Sequence, residues 1–194
     1  EQTLIDVSNM LDFDLFNKAN DQISKILGIE KLPFAKSIYD LEKNYNLNYL
    51  APKSLEQICE SELRFDACIS STTLEHIPKK ELDIIFSLLK KIIKKNGIIS
   101  SAIDYSDHYS HTDKNISDLN FLQFNSNDWR KYNTPMLFQN RLRHQDYREI
   151  FKLKGYKIFE IKGTFGKYSE LISKEFNAND RETFMLWGYF LLKL

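Results

Sequence analysis

An open α/β sheet covered by helices on both faces is the fold that this sequence predicts, on three observations. Two strand-like runs, residues 65–70 and 98–103, flank one amphipathic helical segment, about the length that a parallel crossover requires. Strand-like and helix-like segments alternate along most of the chain. Two further strand-like runs close it, which gives a sheet large enough to need cover on each side.

Each element has its own justification. Leu4-Ile5-Asp6-Val7 is a short apolar run closed by an acidic residue and Ser8-Asn9, so it reads as the end of a buried strand. From Phe13 to Leu27, Phe16, Ala19, Ile23, Ile26 and Leu27 recur at helical spacing, with Asp12 as N-cap and Gly28 just past the end. A second helix is expected around Ala35 to Lys43, then a short strand from Leu47 to Leu50, stopped by Pro52. Phe65 to Ser70 is a nearly continuous small and apolar run, followed by a polar turn and by Pro78 near the start of the next helix. Along Lys80 to Lys95, Leu82, Ile85, Phe86, Leu89, Ile92 and Ile93 form one stripe, lysines fill the opposite face, and Gly97 is expected to end the helix. Ile98 to Ile103 makes the next strand. Asp146 to Lys154 reads as a helix closed by Gly155, and Lys157 to Ile161 and Phe184 to Leu192 as the last two strands.

Composition bounds the function. With 194 residues, 42% hydrophobic and 28% charged, and with no repeat or Pro/Gly-rich linker, residues 1–194 read as one core-forming domain. The 27 Lys+Arg balance 27 Asp+Glu, which leaves no uniformly basic surface for a nucleic-acid backbone or an anionic membrane. The longest apolar stretch, Thr183 to Leu192, is about half of the roughly 20 residues that a bilayer crossing needs, so no membrane span is expected. No basic segment followed by an apolar one opens the chain, and two cysteines, Cys59 and Cys68, are too few for a disulfide framework. A reducing cytoplasm is the expected compartment. The aromatic content of 13% and the apolar tail Phe190-Leu191-Leu192 are compatible with a homodimer contact.

In open α/β sheets ligands bind beyond the carboxyl ends of the strands, so the residues that follow each strand are the candidates. Asp6 could accept both hydroxyls of a ribose diol, or be a solvated loop aspartate. Ser70-Ser71-Thr72-Thr73-Leu74-Glu75-His76 could line a polar pocket with its hydroxyls and His-Glu pair, or form an ordinary helix-capping turn. Asp104 to Asp113 carries His108 and His111, and three of the four histidines fall at predicted strand ends. A His-x-x-His pair among aspartates suits a divalent ion and hence a metal-dependent hydrolase, while a loop histidine bonded to a backbone carbonyl is the plain alternative. Four of the six arginines, Arg130, Arg141, Arg143 and Arg148, crowd into 19 residues of a chain that otherwise prefers lysine 21 to 6. Arginine's planar fork suits a carboxylate or phosphate, and Trp129, Tyr132, Phe138 and Tyr147 offer stacking faces; pairing with Asp128, Asp146 and Glu149 is the alternative.

Phe65-Asp66-Ala67-Cys68-Ile69-Ser70-Ser71, Leu74-Glu75-His76-Ile77-Pro78, the lysine-rich helix and Asn96-Gly97 before an apolar strand resemble the central segment of class I S-adenosylmethionine-dependent methyltransferases. The resemblance implies a Rossmann-like sheet, mostly parallel with an antiparallel last strand. It implies S-adenosylmethionine as cofactor, with Asp6 on its ribose, Ala51 beside its adenine, and Ser70, Ser71 and His76 around its methionine end. The insertion of about 104–145 becomes the acceptor side, with His108 or His111 as general base and Tyr105, Asn140, Arg141 and Arg143 facing a small-molecule acceptor, anionic or sugar-containing. The family's first strand and its Gly-x-Gly-x-Gly loop are not in this sequence, where no two glycines lie closer than Gly163 and Gly166. That departure implies a gap at the sheet centre, filled by residues upstream of Glu1 or, in a non-catalytic binding module, not at all.

Overall fold

The computed structural model of the chain describes residues 1–167 and 171–194. They form two compact units, Glu1–Glu62 and Leu63–Leu194.

In the first unit, β1 (Gln2–Ile5) and β2 (Leu47–Leu50) pair in parallel, with Gln2 opposite Leu47 and Ile5 opposite Leu50. Helix α1 spans Phe13–Leu27 as its caps dictate. The Asp12 carboxylate accepts the amides of Asp14 and Leu15 at 2.8 and 3.0 Å, and Gly28 takes the left-handed conformation (φ 63°) that only glycine adopts without strain. Only part of its apolar stripe is covered. Phe16 packs edge-on against Tyr45, whereas Ile23 and Ile26 remain 52% and 81% exposed. Helix α2 (Ile38–Tyr45) starts three residues later than Ala35, because Ser37 caps it and because Asn17 clamps Ala35 by accepting its N–H and donating to its carbonyl at 2.9 and 2.8 Å. Ala35, Leu41 and Tyr49 form the core of this unit, and α3 (Leu55–Cys59) follows with Ser54 and Gln57 closing a capping box.

The second unit is built on a four-stranded sheet of β3 (Phe65–Ser71), β4 (Ile93–Asp104), β5 (Lys157–Lys162) and β6 (Trp187–Lys193), in the order β3-β4-β6-β5. β3 and β4 are parallel; β6 runs antiparallel to both of its neighbours. Among the described residues, β1 and β2 form their own two-stranded sheet, apart from this one. Helix α4 (Lys79–Ile92) makes the crossover and buries Leu82, Phe86, Leu89 and Ile92. It ends five residues before Gly97, and the chain turns directly into β4. Gly97 therefore serves the strand instead: a Cβ there would lie 2.7 Å from Ile93 Cγ2 and 2.9 Å from the Asp66 carbonyl, where the β3–β4 register shifts.

Between β4 and α6 (His144–Leu153), residues 105–143 make short helical turns at His108–His111 and Asn120–Gln123 and the single turn α5 (Ser126–Trp129). Gly155 (φ 76°) closes the end of α6. The last strand starts at Trp187 and not at Phe184, because Asp180 caps a 3-10 turn over Arg181–Phe184. Phe86, Phe151 and Phe190 interlock at ring separations of 4.6 and 4.9 Å between α4, α6 and β6. All three are essentially fully buried, each worth roughly 1.5–3 kcal/mol of transfer free energy. Leu119, Phe121, Leu122, Trp129 and Phe184 form a second cluster that supports the 105–143 segment.

Candidate functional site

The carboxyl ends of the parallel pair β3–β4 open onto a cluster of carboxylates and imidazoles. After β3, a 3-10 turn over Leu74–His76 buries Glu75 at 2% exposure and leaves His76 exposed. His76 Nδ1 lies 2.9 Å from the Phe138 carbonyl, which makes it the protonated nitrogen and leaves Nε2 as an acceptor. After β4, Asp104 is 4% exposed and accepts both the amide and the hydroxyl of Ser106, at 2.8 and 2.6 Å. His108 Nε2 stands 3.7 Å and His111 Nε2 3.8 Å from the same carboxylate, ion-pair and not hydrogen-bond distances. The rings of His76, His108 and His111 follow one another with centroids 4.9 and 5.0 Å apart.

Electrostatics sort these groups. Burial would raise the Asp104 carboxyl, but His108 beside it and the two bonds from Ser106 outweigh that and hold it below its ordinary value. In return the Asp104 carboxylate raises His108 above the usual imidazole value. Burial raises Glu75, whose two oxygens are buried and make no hydrogen bond, and it raises Asp107 at the start of the His108 turn. Ser70 and Ser101 face each other in register across β3 and β4, each with a buried hydroxyl that finds no partner.

The second unit thus brings together His76, His108 and His111, and Ser70 and Ser71 form the carboxyl end of β3. Asp6 and Ala51 lie in the first unit. Asp6 follows β1, and its carboxylate receives only long bonds, from the Ser8 amide at 3.4 Å and the Tyr49 hydroxyl at 3.5 Å. Ala51 follows β2 and joins Pro52 through a cis peptide.

The four residues expected on the acceptor are instead engaged inside the fold. Tyr105 is 2% exposed, with its hydroxyl 2.9 Å from His144 Nδ1. The Asn140 amide donates to the carbonyls of Leu74 and Ile77 at 2.9 and 2.8 Å, fastening the insertion to the turn that carries Glu75 and His76. Arg141 donates to the carbonyls of Phe121 and Phe124 at 3.0 and 2.6 Å and lies over the rings of Trp129 and Phe176. Arg143, 1% exposed, donates to the carbonyls of Tyr105 and Met185. The expected pairing with Asp128, Asp146 and Glu149 does not describe these arginines either: Arg148 reaches Glu160 and Glu182, and Arg141 reaches Glu175 at 3.5 Å. The planar geometry of Arg141 and Arg143 serves backbone carbonyls, most of them in a segment that has little regular structure to satisfy them.

Asp104 belongs to this cluster although sequence reasoning did not single it out, and it had a usable signal, since it ends β4 as Asp6 follows β1. Glu75 entered the sequence reading only as half of a His-Glu pair, with nothing to mark it as buried. The metal reading of the His-x-x-His pair changes as well, because the group of potential ligands that converges is Glu75, His76 and His108, while His111 Nε2 is 3.0 Å from the Ser106 hydroxyl. A separate concavity of about 510 Å³, lined by Asn120, Leu122, Ile172 and Phe184 among others, contains none of the predicted site residues. No described helix is long and apolar enough to cross a membrane.

No protein-family profile matches this sequence, and no curated protein does. Solved structures do. A SAM-dependent methyltransferase from Archaeoglobus fulgidus is 15% identical, with a TM-score of 0.50 over 100% of this chain and 86% of its own. A S-adenosylmethionine-dependent methyltransferase from Clostridium acetobutylicum is 12% identical, with a TM-score of 0.49 over 99% of this chain and 74% of its own. The magnesium protoporphyrin IX methyltransferase of Synechocystis PCC 6803, solved with bound SAH, is 10% identical, with a TM-score of 0.43; this chain spans 58% of it. With strands β3-β4-β6-β5, the antiparallel β6 between β4 and β5, and the likeness to the Archaeoglobus protein, the chain is folded as a class I S-adenosylmethionine-dependent methyltransferase.

Proposed function

We propose that this protein transfers a methyl group from S-adenosylmethionine to a small-molecule acceptor. The observation that carries this reading is the gathering of His76, His108 and His111 around Asp104, the last residue of β4, at the carboxyl ends of a parallel strand pair on a methyltransferase fold. The residues fit the cofactor chemically. Asp6 retains acceptor capacity for a diol, since its described side-chain bonds are long, and the unpartnered Ser70 hydroxyl is suited to a polar group. In this reading Asp6 holds the ribose, Ala51 borders the adenine, and Ser70, Ser71 and His76 border the methionine end.

When bound, S-adenosylmethionine supplies an electrophilic methyl on a sulfonium centre. The chain's own residues then hold the reactants aligned and manage the acceptor's proton. His111, with its side chain 52% exposed, takes that proton at an imidazole nitrogen, while the Ser106 hydroxyl, itself bonded to Asp104, orients the ring and the Asp104 carboxylate stabilises the imidazolium that forms. Arg141, Arg143, Asn140 and Tyr105 act at one remove, by fixing the segment that walls this site.

Calorimetric titration of the intact chain with S-adenosylhomocysteine tests the reading. Saturable one-to-one binding supports it, and no heat at about 1 mM ligand removes it, since so weak an affinity is worth only about 4 kcal/mol.

A further inference from the structure

We propose that Glu75, His76 and His108 bind a divalent transition-metal ion. Glu75 is 2% exposed, yet neither carboxylate oxygen has a hydrogen-bond partner among the described residues. Buried polar groups in folded proteins are almost always satisfied, and an unpaired buried carboxylate costs several kcal/mol, so this side chain requires either a proton or a cation. The groups nearest to it favour the cation. One ligand atom from each of Glu75, His76 and His108 lies within 4.8 Å of the other two. Zinc-to-ligand bonds of about 2.0–2.2 Å put tetrahedral ligands roughly 3.3–3.6 Å apart, so the site closes on an ion with movements of up to about 1 Å in each side chain.

The surroundings are built as such sites require. His76 donates from Nδ1 to the Phe138 carbonyl at 2.9 Å, the outer hydrogen bond that fixes a ligating imidazole with its Nε2 free. His108 has a buried Nε2 that makes no hydrogen bond among the described residues, and the Asp104 carboxylate stands 3.7 Å from that nitrogen. Glu75 cannot drift away from them: its own carbonyl accepts the Asn140 amide at 2.9 Å, and the Asn140 side chain ties down Leu74 and Ile77 on either side. Two imidazoles and one carboxylate suit zinc, cobalt, manganese or iron(II) better than magnesium or calcium, which prefer all-oxygen shells. Three protein ligands leave a position open for a water or for a substrate oxygen.

This site does not depend on the methyl-transfer reading. Metal uptake and S-adenosylhomocysteine binding are separate titrations, and either can fail while the other succeeds.

The test starts from intact chain stripped with a chelator and titrated with Zn²⁺ by calorimetry and with Co²⁺ by visible ligand-field absorption. The expected result is one ion per chain, with His76→Asn and His108→Asn each weakening uptake by more than the roughly 10- to 100-fold that loss of an outer partner costs. Glu75→Gln, which keeps shape and removes charge, is expected to do the same. Should that buried variant fail to fold, His76→Asn decides, because His76 is exposed and its replacement spares the core. No uptake at about 1 mM Zn²⁺ overturns the proposal and makes Glu75 a protonated acid. Undiminished uptake by either histidine variant overturns it too. So does a loss in His111→Asn as large as in His108→Asn, which would put the ion on Asp104, His108 and His111.

Discussion

The Tyr105 hydroxyl sits 2.9 Å from Nδ1 of His144, a histidine with no exposed surface, and His144 Nε2 sits 2.9 Å from the Glu160 carboxylate. Glu160 accepts at Nε2, so Nε2 carries the proton and Nδ1 accepts from Tyr105. Arg148 holds the same carboxylate at 3.0 Å and reaches Glu182 at 2.7 Å. This chain of bonds connects the end of β4 to α6 and β5.

It predicts an acid-sensitive fold. Burial lowers the His144 pKa below its ordinary value even though Glu160 and Glu182 favour the charged form; Arg148 opposes it. The unfolded chain therefore binds the proton more readily, and the stability that His144 contributes is present above about pH 6.5 and is lost as pH falls below that toward the folded value. Denaturant melts from pH 8 to pH 5 are expected to show this decline. His144→Gln is expected to flatten it and to cost about 1–3 kcal/mol at pH 8, by breaking a buried hydrogen bond. A decline of equal slope in the variant would assign the acid sensitivity elsewhere.

Gly188 on β6 makes room for the same pair. A Cβ at this position would lie 2.5 Å from His144 Nδ1 and 2.8 Å from Tyr105 Cε2. Neither ring can yield without giving up its bond to the other. Gly188→Ala is expected to destabilise the protein by about 1–3 kcal/mol, the usual cost of overpacking, and a melting temperature equal to the wild type would refute this.

Arg143 carries a larger load. Burial pulls its pKa down to about 10, so it stays charged at neutral pH, between the Tyr105 and Phe121 rings and with two carbonyls as acceptors. Its amide also donates to the Asp146 carboxylate at 2.7 Å at the start of α6. Lysine keeps the charge but not the fork. Arg143→Lys is expected to cost about 3 kcal/mol in urea melts, since one of the two carbonyls is left buried and unpaired; a change under about 0.5 kcal/mol would mean that the fork is dispensable.

Elements fixed by local chemistry were legible in the sequence. Asp12 and Gly28 bound α1 because a cap and a left-handed turn act within a few residues, and the stripe of Leu82, Phe86, Leu89 and Ile92 marked α4 by period alone. Gly97 misled for a physical reason: a glycine needed for close strand approach looks the same in sequence as one needed to end a helix. The strand-end rule pointed to the loops after β3 and β4, where the rings of His76, His108 and His111 follow one another. The roles of Arg141, Arg143 and Asn140 were not legible, because their partners are backbone carbonyls 17 to 66 residues away, and a carbonyl leaves no mark in a sequence. For Glu75 the sequence showed the pair with His76 and not the burial, which alone sets it apart from any helix-capping glutamate.

Asp6 offers the sharpest test of the cofactor reading within the first unit. Its backbone is pinned, the amide donating to the Leu50 carbonyl at 3.1 Å and the carbonyl accepting from Lys53 at 2.8 Å, so the side chain leaves the end of β1 in a set direction. Tyr49 holds its hydroxyl near that carboxylate while accepting the Met10 amide at 3.0 Å. A carboxylate so placed can accept two hydroxyl protons, whereas an asparagine can accept only through one oxygen and turns a donor toward the other. Charged hydrogen bonds are worth roughly 1.5–3 kcal/mol, so Asp6→Ala is expected to weaken S-adenosylhomocysteine binding by about 10- to 150-fold, with Asp6→Asn nearly as weak. The melting temperature should change little, because the described bonds to the carboxylate are long. Unchanged affinity in both variants would take Asp6 off the ribose, and lost affinity with lost stability would make it a structural residue of the β1 end.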